Sequence, residues 1–319
     1  MIKCAVIGIG YLGRFHAQKY KMLKNAELFA VCDVDPDKVA CVSEELDVQG
    51  FTDYRELFGK VEAVSIAATT NQHYTIAKDC LLNGIHVLIE KPITETIEQA
   101  KELIEIASGN NLKLQVGHLE RFNSARLALE EHLHAPLFIE SQRLAPFNPR
   151  GTDVNVVLDL MIHDIDIIQT IVNSPIKNID AQGAPILTSF IDIANARISF
   201  ESGCVANVTA SRISFKTERK TRIFQSDSYI SIDYQNKQFA VFEKGQGEMF
   251  PGIPEIVRHQ SVFEKGDALL KEIEAFLEAI EQDSTPLVTG QEGCAALETA
   301  QNITNLINQN LELQHRHVQ

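Results

Sequence analysis

The chain has 319 residues, of which 45% are hydrophobic and 23% are charged, and its formal net charge is −14. This composition is typical of a folded globular protein with room for two domains, and the negative charge without a basic stripe excludes general binding to nucleic acid. We also expect no membrane partner and a cytoplasmic location, because no apolar stretch approaches the roughly 20 residues of a membrane span and no signal peptide is recognisable.

Buried-type strands and helical patterns alternate over the first 120 residues. The apolar runs are IKCAVIG, ELFAVCDVD, AVSIAAT, HVLIE and LKLQVG. Between the second and third runs, Asp35 and Pro36 supply an N-cap and a first-turn proline for a helix. Continuous apolar strands separated by helices predict a parallel sheet covered on both faces, which is the doubly wound α/β fold.

The pattern changes after about residue 122. A helical segment near 155–172 is followed by short stretches of period-two alternation that are separated by turn residues, from IANARISF to QFAVFE. Such alternation predicts antiparallel hairpins. Amphipathic helices are predicted at 266–282 and 290–312, so the second half of the chain is expected to be an α+β domain with a mostly antiparallel sheet.

The stretch GIGYLG directly follows the first strand and opens a helix. Gly8 allows a tight turn, Gly10 lets the backbone approach a pyrophosphate, and Gly13 allows close packing of helix and strand. Asp33 ends the second strand, where a carboxylate accepts hydrogen bonds from ribose hydroxyls and repels a 2′-phosphate. The spacing predicts a dinucleotide site that favours NAD over NADP; the alternative is a glycine turn with an accidental aspartate.

Two further stretches carry side chains suited to catalysis. Lys91 follows the fifth strand, where it can donate to a developing alkoxide or lie solvated at a turn. Asp159 and His163 are four residues apart in an apolar setting, so a helix places them on one face as an oriented base, or as a core histidine with a capping aspartate. Because no second cluster has metal-ligand spacing, we predict no metal.

With GIGYLG, TTNQHY, EKP and DLMIHDID on one chain, the sequence resembles the glucose–fructose oxidoreductase, inositol dehydrogenase and rhizopine-catabolism oxidoreductase family. The resemblance implies a Rossmann domain at 1–121, a substrate and oligomerisation domain with an open-faced sheet at 122–289, and a last helix at 290–319 that packs back near the first domain. It also implies a homodimer or homotetramer formed through that sheet.

The resemblance implies a role for each motif residue. Lys91, Asp159 and His163 match the family's catalytic residues, with His163 as the acid/base and Asp159 as its partner, and the Lys91–Pro92 bond is often cis in the family. Together the glycine motif and the resemblance place the cofactor at Gly8, Gly10, Tyr11, Leu12, Gly13, Asp33, Thr69, Asn71, His73, Glu90 and Lys91.

The stretches GHLERFN and RLAPFNPRGTDVN resemble the branch of this family that contains UDP-N-acetylglucosamine 3-dehydrogenases, which serve lipid A synthesis. Arg121, Arg143 and Arg150 lie close to these motifs and could hold a diphosphate, or each could be a surface residue. The alternatives are a dehydrogenase of free sugars or inositols, a non-catalytic NAD-binding regulator, and a metal-dependent hydrolase. The leading hypothesis is oxidation of a nucleotide-sugar hydroxyl by NAD.

Overall fold

The structure of the protein is a computed structural model that describes residues 1–148, 154–263 and 266–318, with the side chains of 315–318 excluded. The helices of this described part are α1 (Tyr11–Met22), α2 (Pro36–Leu46), α3 (Thr70–Leu82), α4 (Ile97–Gly109), α5 (Ser124–Leu127), α6 (Ile162–Val172), α7 (Ala268–Glu281) and α8 (Gly290–Val318). Its strands are β1 (Ile2–Ile7), β2 (Ala26–Cys32), β3 (Gln49–Phe51), β4 (Ala63–Ile66), β5 (His86–Glu90), β6 (Leu114–Gly117), β7 (Phe138–Leu144), β8 (Ile176–Ala184), β9 (Ile193–Phe200), β10 (Val205–Ser211), β11 (Glu218–Phe224), β12 (Ser228–Asp233), β13 (Gln238–Phe250) and β14 (Ile253–Val262).

The first compact unit comprises Met1–Phe122 and Asp267–Leu297. Its six strands form a parallel sheet in the order β3-β2-β1-β4-β5-β6. Two of its helices begin at side-chain caps. Asp35 caps α2, as the sequence predicted, and Thr96 forms a capping box with Gln99 at α4. The predicted doubly wound α/β fold is confirmed.

The core of this unit includes α7, which the sequence placed in the second domain. Ile273, Phe276 and Leu277 are fully buried in one cluster with residues of β1, β2 and α1. The apolar stripe of α7 therefore covers the Rossmann sheet. The expected domain boundary was wrong here because helical periodicity predicts an apolar face but not the element against which that face packs.

The second unit comprises Asn123–Gly266 and the chain from Glu298 onwards. Its eight strands have the order β14-β13-β12-β11-β7-β10-β9-β8, and the pairs are antiparallel except for β7 with β10. Burial alternates along β9 and β10, and α6 packs against β7 and β10. The predicted mostly antiparallel sheet is confirmed, and the β7–β10 pair is the parallel exception.

Three other features of the fold concern the last helix, the cysteines and membrane spans. The division between the units falls inside α8, so its first turns belong to the first unit and the rest to the second, where Asn310 Nδ2 donates to the carbonyl oxygen of Ala181. All six cysteines are free, and five are buried. Among the described residues, no helix is long and apolar enough to cross a membrane.

Candidate active site

The first unit has a cleft at the point where its strand order reverses. β1 and β4 are neighbours, and the chain leaves them in opposite directions, toward α1 and α3. In open α/β sheets, ligands bind in the crevice at such a switch point, beyond the carboxyl ends of the strands. A cleft of about 670 Å³ lies here, lined by residues that follow β1, β2 and β4.

The three glycines of the motif are required, or tolerated, for different structural reasons. Gly8 has φ +84°, and a Cβ atom there would lie 2.5 Å from the backbone nitrogen of Ala68. A Cβ atom on Gly13 would lie 1.8 Å from the carbonyl oxygen of Gly8. At Gly10, which caps α1, a Cβ atom would meet nothing within 4 Å. Gly8 and Gly13 thus form the turn, while Gly10 leaves open space in front of a helix N-terminus, which favours anions.

Asp33 lies at the end of β2 on the rim of this cleft. One carboxylate oxygen accepts the backbone N–H of Ile9 at 2.9 Å, and the other accepts that of Asp35 at 3.0 Å. These bonds fix the carboxylate, and each oxygen keeps a further lone pair. Asp33 can therefore still accept hydrogen bonds from ligand hydroxyls.

The loop after β4 is held by side-chain contacts. Thr69 donates its hydroxyl to the side-chain oxygen of Asn71 at 2.6 Å, and both residues are exposed at the start of α3. His73 differs from the predicted cofactor-lining role, because its side chain is buried. Its Nδ1 lies 2.9 Å from the Pro92 carbonyl oxygen and its Nε2 lies 3.1 Å from that of Ala68. His73 therefore ties together the loops that follow β4 and β5.

The electrostatics of His73 include opposing effects. Burial lowers the pKa of the imidazole, although the carbonyl oxygens of Pro92 and Ala68 favour the protonated form. A neutral ring donates from only one nitrogen at a time. The net direction is downward, so a neutral His73 donates a hydrogen bond to only one of the two carbonyl oxygens at a time and contacts the other.

The segment after β5 carries Glu90 and Lys91. The Lys91–Pro92 bond is cis. The Glu90 carboxylate points inward, where Oε1 lies 2.9 Å from His16 Nε2 and Oε2 accepts the backbone N–H of Lys91 at 3.3 Å. The Lys91 side chain is half-buried. Both predicted cofactor residues are thus partly accessible, but the Glu90 carboxylate already has partners within the unit.

The residues at this cleft fit a dinucleotide. The open space at Gly10, the N-terminus of α1 and the fixed carboxylate of Asp33 match the pyrophosphate and ribose of such a group. The exposed Tyr11 and Leu12 begin α1 beside them. Thr52, Tyr54 and Gln72 also line the cleft. Sequence reasoning missed these three, because no motif distinguishes them from ordinary loop and helix residues.

The second unit carries Asp159 and His163, both half-buried. A π-helical turn, Val157–Met161, contains Asp159 and runs directly into α6, whose first turn contains His163. The Asn155 side chain accepts the backbone N–H groups of Val157 and Leu158 at 3.0 Å each and so begins this turn. The predicted helix near 155–172 is confirmed, and its irregular first turn is of the kind often found at functional sites.

The predicted diphosphate-binding arginines are not alike. Arg143 is buried, and its Nε and Nη2 donate to the Asp164 carboxylate at 2.8 and 3.2 Å. Arg121 is buried as well, and its Nη2 donates to Glu292 at 3.1 Å. Both guanidinium groups therefore have partners within their own unit, which argues against the predicted diphosphate contact. Arg150 lies outside the described residues.

The fold and the cleft define a class of protein: an oxidoreductase with an NAD-binding Rossmann domain and an antiparallel α+β domain. Residues 2–118 match the oxidoreductase family with an NAD-binding Rossmann fold, and residues 133–231 match the C-terminal domain of the same family. The chain belongs to the glucose–fructose oxidoreductase, inositol dehydrogenase and MocA (Gfo/Idh/MocA) family. The predicted family, enzyme class and NAD cofactor are thereby confirmed.

Two curated relatives and one solved structure illustrate the similarity. The chain is 39% identical over 280 residues to UDP-N-acetylglucosamine 3-dehydrogenase of Acidithiobacillus ferrooxidans, covering 88% of each chain. A structure of that enzyme has a TM-score of 0.91 and 36% identity, covering 96% of this chain and 97% of the other. The chain is also 26% identical to scyllo-inositol 2-dehydrogenase (NAD(+)) of Bacillus subtilis, covering 98% of this chain and 96% of the relative.

Proposed function

We propose that the protein oxidises the 3-hydroxyl of UDP-N-acetylglucosamine to a ketone, with NAD as the hydride acceptor. The observation that carries this proposal is the 39% identity to the Acidithiobacillus ferrooxidans enzyme over 88% of both chains. The TM-score of 0.91 over 96% of this chain supports it. We further propose that the protein serves the synthesis of lipid A or cell-envelope sugars in the cytoplasm and forms a homo-oligomer through the second sheet.

In the proposed chemistry, one residue removes a proton and another stabilises the negative charge that results. His163 removes the proton from the sugar hydroxyl, and Asp159 orients the imidazole. Histidine is the side chain whose ordinary pKa suits proton transfer near neutral pH. Lys91 is assigned, by the family resemblance, the stabilisation of the negative charge that develops during the oxidation. The bound nicotinamide supplies the hydride-accepting carbon.

The cofactor is proposed to lie in the cleft of the first unit. The N–H groups at the start of α1 bind the pyrophosphate in the space that Gly10 leaves open. Asp33 accepts from the adenosine ribose. Thr69 and Asn71 shape the loop after β4, and His73 holds that loop to Pro92 from beneath. Glu90 acts inside the unit, through the backbone of Lys91.

A dehydrogenase of inositols is the alternative that a specific observation favours. The Bacillus subtilis scyllo-inositol dehydrogenase matches 98% of this chain, although at only 26% identity. The ion pairs that the buried Arg121 and Arg143 side chains form also occupy two groups that the sequence offered for a diphosphate. The nucleotide-sugar proposal therefore depends on the similarity between the chains, with no particular arginine assigned to the diphosphate.

The test measures the absorbance of NADH that forms when the protein is mixed with NAD and UDP-N-acetylglucosamine. Glutamate and a matching aminotransferase are added to remove the keto sugar and pull the equilibrium forward. We expect turnover that disappears in His163→Ala and persists in His259→Ala, which alters an exposed histidine on β14. NAD binding without turnover on this substrate, but with turnover on scyllo-inositol, would support the alternative. NAD binding with no turnover on either would favour a non-catalytic regulator.

A further inference from the structure

A group of three ionisable side chains lies next to the Lys91 segment; two of them are buried and the third is half-buried. His16 comes from α1, Glu90 from the end of β5, and Glu272 from α7. One ligand-type atom from each lies within 4.8 Å of the other two. All three residues belong to the first compact unit.

Glu272 is the unusual member of this group. Its side chain is 0% exposed, and neither carboxylate oxygen accepts a hydrogen bond from any residue that the structure describes. An ionised carboxylate without a donor is costly to bury. Burial, and after it the charge of Glu90, raise the pKa of Glu272 well above its usual range. Glu272 is therefore a neutral carboxylic acid.

Glu90 is the natural acceptor for the proton of Glu272. Its Oε1 lies 2.9 Å from His16 Nε2, and its Oε2 accepts the backbone N–H of Lys91 at 3.3 Å. A fully buried carboxyl group next to a carboxylate resists a second negative charge, and in its protonated form it can donate a hydrogen bond to that carboxylate. The carboxyl group of Glu90 also lies where a side chain on Gly117 would be, 3.0 Å from the Cβ position.

We propose that Glu272 donates its proton to Glu90 and that this hydrogen bond is a positioning element for Lys91. Because the Glu90 carboxylate accepts the backbone N–H of Lys91, holding the carboxylate holds the start of that turn. Glu272 contacts neither substrate nor cofactor in this proposal and acts through Glu90. The second half of the proposal rests on the role given to Lys91 under Proposed function.

The helix that carries Glu272 is itself well anchored. Gln115 Nε2 donates to the Glu272 carbonyl oxygen at 3.0 Å, and the neighbouring Ile273 is fully buried. The elements packed against α7 carry several ionisable groups, among them Lys19 and Tyr20 on α1, His86 on β5, and Glu120 and Arg121 at 119–122. Of these groups, Tyr20 interacts electrostatically with Glu272. A substitution that keeps the volume of Glu272 is thus expected to fold.

The experiment compares Glu272→Gln, which keeps a donor, with Glu272→Met, which does not. We expect Glu272→Gln to retain kcat within about threefold and Glu272→Met to lose about tenfold or more, with the KM for NAD nearly unchanged, because small misplacements of a reacting group are costly. Ile273→Val is the packing control and should retain kcat. Equal kcat values for the Gln and Met variants would overturn the positioning role.

A readout without substrate separates this proposal from the proposed function. The infrared spectrum of the wild type at neutral pH should contain the C=O band of a protonated buried carboxyl group that Glu272→Gln lacks. Loss of that band supports the shared proton even if UDP-N-acetylglucosamine is not oxidised, and an unchanged spectrum would overturn it. One equivalent of a divalent metal in the purified protein, lost in Glu272→Gln, would also overturn it, because a cation would then replace the proton.

Discussion

Gly13 packs so closely against Gly8 that a Cβ atom on Gly13 would lie only 1.8 Å from the carbonyl oxygen of Gly8. Gly10 lies between these two residues in the sequence, and a Cβ atom on Gly10 would meet nothing within 4 Å. Two glycines of one motif therefore serve the protein's own packing, and the third leaves room for a ligand.

This difference predicts opposite outcomes for one substitution at two positions. Gly13→Ala should destabilise the protein by about 1–3 kcal/mol or more, because the methyl group has no space. Gly10→Ala should leave the midpoint of thermal unfolding nearly unchanged, since Gly10 has φ −65°, but should weaken NAD binding at least about tenfold. Calorimetric unfolding and NAD titration measure the two effects. Unchanged NAD affinity in Gly10→Ala would show that the pyrophosphate does not bind at the N-terminus of α1.

The cofactor preference is predicted to depend on Asp33. Replacing it by Ser while introducing Val34→Arg removes the carboxylate that repels a 2′-phosphate and adds a cation at a side chain that is 90% exposed. We expect the ratio of kcat/KM for NADP to that for NAD to rise by about tenfold or more, which corresponds to about 1.4 kcal/mol. Val34→Arg alone is the control and should shift the ratio less. An unchanged ratio in the double variant would mean that Asp33 does not read the ribose.

Arg143 is predicted to matter for stability and not for substrate affinity. Arg143→Met leaves the buried carboxylate of Asp164 without its cation, which should cost about 3–5 kcal/mol in urea unfolding. Arg222→Met removes a half-exposed arginine that pairs with Glu140 and should cost less than about 1 kcal/mol. Normal stability together with a raised KM for the nucleotide sugar in Arg143→Met would restore the substrate-binding role.

Asp192 is predicted to contribute stability that depends on pH. Burial opposes its ionisation, but the backbone N–H groups of Ile186, Leu187 and Thr188 donate to it at 2.7–2.9 Å and outweigh burial, so the pKa of Asp192 lies well below the ordinary 3.8. A lowered folded-state pKa stabilises the fold above the unfolded-state value. The contribution is lost as the pH falls from about 5 through the folded value.

The matching measurement is thermal unfolding of the wild type and Asp192→Asn as a function of pH. The wild type should be more stable near neutral pH, where the carboxylate is ionised in both folded and unfolded chains. The difference between the two proteins should shrink as the pH is lowered through the acid range. A difference that is constant with pH would assign the effect to hydrogen-bond geometry rather than to ionisation.

The proposed catalytic and cofactor motifs could be predicted from the sequence because their geometry is local. GIGYLG and Asp33 belong to one strand–helix–strand unit, so strand ends, helix starts and glycine positions follow from a few dozen consecutive residues. The same holds for Asp159 and His163, which one helical segment places within a turn of each other. Resemblance to the family added their roles.

Side-chain direction was not accessible in the same way. His73 and Arg143 lie in or next to recognised motifs, yet the fold turns both inward, His73 toward two carbonyl oxygens and Arg143 toward Asp164. Which face of an element is buried depends on what packs against it. A polar residue near a motif can therefore stabilise the site without touching a ligand.

The sequence by itself determined the order of strands and helices, the nucleotide-binding turn and the family, because these depend on local periodicity and on short-range glycine and carboxylate spacing. Only the tertiary structure decided that α7 returns to the first sheet and brings Glu272 to Glu90 and His16. Such a contact joins distant parts of the chain. The sequence does not show it, because the contact arises from the burial of these groups away from water, which favours a charged partner or the neutral form of each.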